Sequence, residues 1–132
     1  MMVSAYNLFR SDYKNLNLLT NNSISNIVDN SRYVWIGTWK GLNLYDKQTC
    51  KIIPFPDTRL LDKGINYMAA DKEDNIWIGA GNTIYRCNST ASIAREYDIF
   101  GSQQNKHTIN FVYQDREGNM WVSLTGGGFV QV

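Results

Sequence analysis

The side chains able to do acid–base, nucleophilic or metal chemistry are few and scattered. His107 is the single histidine among 132 residues. A multi-histidine metal site is therefore excluded within one chain. A Ser–His–Asp arrangement would have to use His107, and nothing near it has the strand–turn–helix setting of a nucleophile elbow. Asp71, Glu73 and Asp74 sit close together, as do Asp115 and Glu117. A calcium loop needs more oxygen ligands at fixed spacing and a distal Glu, so these carboxylates read as hairpin-turn residues. Gly126, Gly127 and Gly128 lack the Lys–Ser/Thr and the helix that follow a phosphate loop, and read as a tight turn. Cys50 and Cys87 fit neither a zinc pattern nor a disulfide framework. The chain is expected to be a non-enzyme with no cofactor and no metal.

Binding chemistry is better represented. Trp39 occurs once, outside the pattern that the other three tryptophans follow. A loop tryptophan can offer its flat face to the apolar face of a sugar ring, at little entropic cost. Lys40, Asn82, Asn22, Lys63 and His107 lie in loops expected at the same end of the molecule. They are the polar candidates for a ligand site.

The elements that must position these residues are repeats. Trp35, Trp77 and Trp121 are spaced by 42 and 44 residues. Each sits in one setting: ISNIVDNSRYVWIGTWKGLNLYD, INYMAADKEDNIWIGAGNTIYRC and INFVYQDREGNMWVSLTGGGFVQV. A period of about 40–45 residues with strand signals is the length of a four-stranded propeller blade. An apolar segment opens each repeat, at residues 24–28, 65–69 and 109–113. A polar turn follows, carrying Asp29 and Asn30, then Asp71 to Asn75, then Asp115 to Asn119, residue types that suit hairpin turns. Next comes a continuous apolar run around each Trp, as a strand covered on both faces requires. The small residues Gly37, Gly79 and Ser123 then allow a neighbouring backbone to approach, or relieve crowding near a narrow axis. Third strands are expected at residues 41–46 and 82–87, and outer strands at 51–55 and 96–100.

Composition closes other classes. Thirteen Lys and Arg face twelve Asp and Glu, for a formal charge of +1. There is no basic stripe for nucleic acid and no polybasic segment for a membrane surface. No apolar run is long enough to span a bilayer, and the first residues do not read as a signal peptide.

The predicted fold is all-β: three four-stranded antiparallel propeller blades. They divide as an N-terminal segment (1–22), blade 1 (23–62), blade 2 (63–106) and blade 3 (107–132), whose outer strand is missing. Residues 6–10 read as a stray outer strand. Propellers have four to eight blades, so three leave open faces and edges. Either other blades continue the ring, or two copies join head to tail into a ring of about six, the stray strand completing the last blade of the partner.

The stretch NNSISNIVDNSRYVWIGTWKGLNLYD resembles the repeat of the two-component regulator propeller family. Asp71, Asn75 and IWIGA carry the resemblance in the second repeat, and DREGN with Trp121 in the third. The resemblance implies a periplasmic sensor propeller of a hybrid histidine kinase of Bacteroides-like bacteria, with oligosaccharides as ligands. It implies that the kinase lies in regions absent from this chain. The alternatives are a scaffold that packs blades without a small ligand, and a propeller lyase or hydrolase depending on His107.

Overall fold

In the computed structural model, which describes residues 19–99 and 108–132, the repeats fold as three antiparallel sheets. The first contains β1 (Ile24–Asp29), β2 (Tyr33–Thr38), β3 (Gly41–Asp46) and β4 (Lys51–Pro54). The second contains β5 (Tyr67–Ala70), β6 (Ile76–Ala80), β7 (Thr83–Cys87) and β8 (Ile93–Asp98). The third contains β9 (Ile109–Gln114), β10 (Met120–Leu124) and β11 (Gly128–Gln131). Within each sheet the strands pair in chain order. The opening strands β1, β5 and β9 lie beside one another, so the sheets fan from a common inner edge. The chain is a set of three β-propeller blades, four-stranded, four-stranded and three-stranded.

The core lies between sheets. Side chains alternate along a strand, so each blade offers one row forward and one row back. Trp35, Leu42 and Leu44 of blade 1 pack against Met68, Ile76, Ile78 and Tyr85 of blade 2. On the other side of blade 2, Trp77 and Ile84 pack against Ile109, Val112, Met120 and Val122 of blade 3. Every residue of β6 is buried, because a sheet covers each of its faces. A fully buried aliphatic side chain contributes about 1.5–3 kcal/mol, so these junctions hold the array together.

The small residue after each Trp has a sharper role than backbone approach. Gly37 faces Ile65: a methyl group at Gly37 would lie 2.8 Å from Ile65 Cγ2. At Gly79 the same addition would lie 2.6 Å from Ile109 Cγ2. What comes close is the isoleucine side chain of the next blade. It seats like a knob in a socket that any Cβ would fill.

The first turn of blade 1 departs from the sequence reading. In blades 2 and 3 the turn spans five residues and is closed by aspartate: Asp71 N donates to Asn75 O, and Asp115 N to Asn119 O. Asp71 Oδ1 accepts from the Glu73 and Asn75 amides, each at 2.9 Å. Asp115 Oδ1 does the same for Glu117 and Asn119. The fourth turn residue is left-handed, Asp74 at φ 68° and Gly118 at φ 93°, a conformation that Asp and Gly tolerate. In blade 1 the turn is shorter: Asn30 N donates to Tyr33 O, and Asn30 Oδ1 accepts from the amides of Arg32 and Tyr33. Asp29 is therefore not in the turn. It ends β1 opposite Val34 and pairs with Lys47 at 2.8 Å.

Two other expectations shift. Blade 2 opens at Tyr67 rather than residue 65, and Ile65 precedes the strand with its amide bonded to Thr38 O. Its outer strand is Ile93–Asp98, three residues earlier at its start than the expected 96–100. The stray strand at residues 6–10 and His107 lie outside the described residues.

Candidate functional site

Links between blades and the loops between second and third strands share one end of the array. There they are stitched by backbone hydrogen bonds. Trp39 N donates to Ser23 O, Gly41 N to Lys63 O, Ile65 N to Thr38 O, Ile109 N to Gly81 O, and Thr125 N to Thr108 O. This end gathers Trp39, Lys40 and Lys63 at the junction of blades 1 and 2, with Asn22 on the neighbouring link next to Ser23. Asn82 lies one repeat further on.

Trp39 is 59% exposed. Its backbone is held by Ser23, and its ring lies against Gly64, where an added Cβ would sit 3.5 Å from Trp39 Cε3. Gly64 thus leaves room for the indole, and more than half of the Trp39 surface is left to solvent. Lys40 is exposed, with its amide donating to Thr38 Oγ1 at 3.0 Å. Lys63 is anchored more tightly. Its Nζ donates to Tyr85 Oη at 3.0 Å and lies 5.5 Å from the centre of that ring. Tyr85 is itself buried between blades, so the hydrogen bond to its hydroxyl holds the ammonium at the junction. Asn82 is half-buried: its carbonyl accepts from Ile99 N, and its Oδ1 from Thr83 Oγ1 at 3.4 Å. It belongs to the loop framework more than to the exposed surface around Trp39.

The opposite end is built from turns. Ser31 N donates to Asp74 Oδ1 at 3.0 Å, and Ser31 Oγ donates to Asp74 Oδ2. Lys72 N donates to Gln114 Oε1 at 2.9 Å, and Lys72 Nζ to Arg116 O at 2.7 Å. Asp71, Glu73, Asp74, Asp115 and Glu117 are turn residues, as the sequence suggested, whereas Asp29 is not. Among the described residues no three His, Cys, Asp or Glu side chains gather as a metal-binding group. Cys50 is exposed and Cys87 buried, and neither is in a disulfide. Burial pushes the Cys87 thiol up to about 12, which leaves it un-ionised at neutral pH.

Two concave regions were not anticipated. A cleft of about 400 Å³ between blades 2 and 3 is lined by Asp71, Trp77, Arg86, Tyr97, Gln114 and Asn119. Tyr97 stacks on Trp77 with ring centres 5.8 Å apart, and Arg86 lies over the Trp77 ring at 5.9 Å. The second region is a groove of about 320 Å³ on the outward face of blade 3, lined by Phe111, Tyr113, Trp121, Ser123 and Phe129. The alternation of Phe111 and Tyr113 about Val112 was the signal for that second apolar face.

No family model matches the chain, and no curated protein matches it. Solved structures do. One is the extracellular domain of a B. thetaiotaomicron protein named as the one-component system BT4673, with 21% identity and a TM-score of 0.68 over 86% of this chain. Another is the extracellular domain of BT4673 named as a hybrid two-component system, with 20% identity and a TM-score of 0.64 over 84% of this chain. The chain spans about 15% of the length of each. At this identity the likeness establishes a shared fold. Among the described residues no helix is long and apolar enough to cross a membrane.

Proposed function

We propose that this chain is part of the ligand-sensing propeller of a hybrid two-component system, of the two-component regulator propeller type, working in the periplasm without turnover of its ligand. The observation that carries this reading is Trp39, 59% exposed in a loop that is bonded to the Lys63 loop through Gly41 N and Lys63 O. The ligand class is an oligosaccharide, stacked by a pyranose face on the indole and held by Lys40, Lys63 and Asn22. The solved structures of similar fold, extracellular domains of signalling systems, support the sensing role. The loops that would grip a ligand are the same loops that bond one blade to the next, so capture would bias the packing between blades. Rigid-body movement of packed blades would pass that bias to a kinase outside this chain.

The test is a titration of the chain with oligosaccharides from plant and host glycans, followed by indole NMR. Perturbation of the Trp39 signal, lost in Trp39→Ala while the fold is kept, is the expected result. Saturable binding unaffected by Trp39→Ala would overturn the placement of the site. A second reading, a scaffold that packs blades without a small ligand, is favoured by one observation: the aromatic groove on the outward face of blade 3, with Phe129 71% exposed.

A further inference from the structure

The pairing registers identify the same position in every blade. Ile24 faces Thr38 and Ile109 faces Leu124, each followed by a one-residue irregularity. Ile65 holds that position in blade 2, next to Asn66, whose amide bonds to Gly79 O. These three isoleucines are the knobs of the array. Ile65 is 0% exposed and Ile109 1%, because each is seated on the preceding blade. Ile24 faces the side with no blade among the described residues, and it is 40% exposed.

The sockets are Gly37, Gly79 and, by register, Ser123: each lies opposite the residue two after the knob, Asn26, Tyr67 and Phe111. The first two have no Cβ, and both need that absence, with 2.8 and 2.6 Å to the seated isoleucine. Real Cβ atoms do not approach a methyl group so closely, and cores resist such overpacking. Ser123 carries a Cβ and a hydroxyl. Two residues around it are also larger than their counterparts: Tyr113 stands opposite Trp121 where Ala69 stands opposite Trp77, and Phe129 opposite Ser123 where Ile84 stands opposite Gly79. The groove these side chains line is open and almost wholly apolar.

We infer that the outward face of blade 3 is an interface for a further propeller blade whose opening strand carries glycine or alanine where Ile65 and Ile109 stand. An isoleucine-bearing blade is rejected, and this includes blade 1 of a second copy, whose knob is Ile24. The face continues the two junctions already formed in this chain, with the same Trp-bearing strand and the same register. The socket and the aromatic side chains beside it differ. The junction is therefore selective, and two unaltered copies do not close head to tail in the seating used between blades 1, 2 and 3.

The experiment uses the full chain at graded concentrations in analytical ultracentrifugation. Ile24→Ala removes the knob, and Ser123→Gly restores the socket. Each is expected to strengthen self-association at least tenfold over the unaltered chain. Adding Phe129→Asp to Ile24→Ala is expected to abolish that gain, which assigns it to this face. Ile24 and Phe129 are exposed, so neither change threatens folding. Equal association of all variants, or a gain that survives Phe129→Asp, would overturn the inference.

Discussion

The indole Nε1 of Trp121 donates a 2.9 Å hydrogen bond to Oδ2 of Asp115, six residues earlier in the chain. Trp77 and Asp71 repeat the contact at 2.8 Å. The aspartate does two jobs: one oxygen closes the turn, and the other ties that turn to the core tryptophan. Trp35 lacks the contact. Its Nε1 is buried without a hydrogen-bond partner among the described residues, because the shorter turn puts the neutral Asn30 where the carboxylate would be.

The clasp sets an acid limit. The Trp121 hydrogen bond, helped by those from Asn119 and Glu117, holds the Asp115 carboxyl down at about 2. A carboxyl depressed on folding adds stability above its unfolded value of about 4, and that share is lost as pH falls through the folded value. The Trp121 indole proton resonance is therefore expected to stay fixed from neutral pH to about pH 3 and then to move with a midpoint near 2. An Asp115→Asn variant should show no such transition. Movement near pH 4 in the unaltered chain would disprove the clasp.

Trp77 and Trp35 should respond differently to phenylalanine. Trp77→Phe removes a hydrogen bond to a charged group, worth about 1.5–3 kcal/mol, as well as ring volume. Trp35→Phe removes similar volume but also an unpartnered buried donor, which offsets part of the loss. Urea denaturation is expected to rank Trp77→Phe as the more destabilising by at least about 1 kcal/mol. Equal losses would mean that Trp35 Nε1 has a partner.

Gly79→Ala tests the socket from the other side. The new methyl would meet Ile109 Cγ2 at 2.6 Å, with Tyr67 O at 3.6 Å. Overpacking of this kind costs about 1–3 kcal/mol. Gly81→Ala is the control: nothing lies within 4 Å of its Cβ position, though its φ of 65° brings a backbone cost of its own. The Gly79 variant should lose the cooperativity between blades 2 and 3, seen as early loss of the Met120 and Val122 methyl signals on heating. The Gly81 variant should unfold as one unit.

Much of this was legible in the chain. The spacing of Trp35, Trp77 and Trp121 fixed the blades, because a tryptophan covered on both sides needs the same flanking residues each time. What escaped was set by neighbours distant in sequence. Aligning Asp29 with Asp71 keeps six residues to the tryptophan in both cases, and nothing local reveals that β1 ends one residue nearer its tryptophan than β5 and β9 do. Gly37 reads as a small residue, but its partner Ile65 belongs to another blade. Of the candidate ligand residues, Trp39, Lys40 and Lys63 come together because Gly41 and Ile65 stitch their loops. Asn82 is drawn into its own loop by Thr83 and Ile99.

The blades are bonded to their neighbours at both ends, through Ser31 and Asp74 or Lys72 and Gln114 at one and through the strand links at the other. Blade 2 is gripped from both sides, and blades 1 and 3 from one side only among the described residues. In an array with only nearest-neighbour coupling, such an arrangement loosens from its flanks inward. Amide protons of β6 should therefore be the last to exchange with deuterium. The middle blade then acts as a stiff keel, and any tug at the Trp39 loop is felt by it before it reaches blade 3.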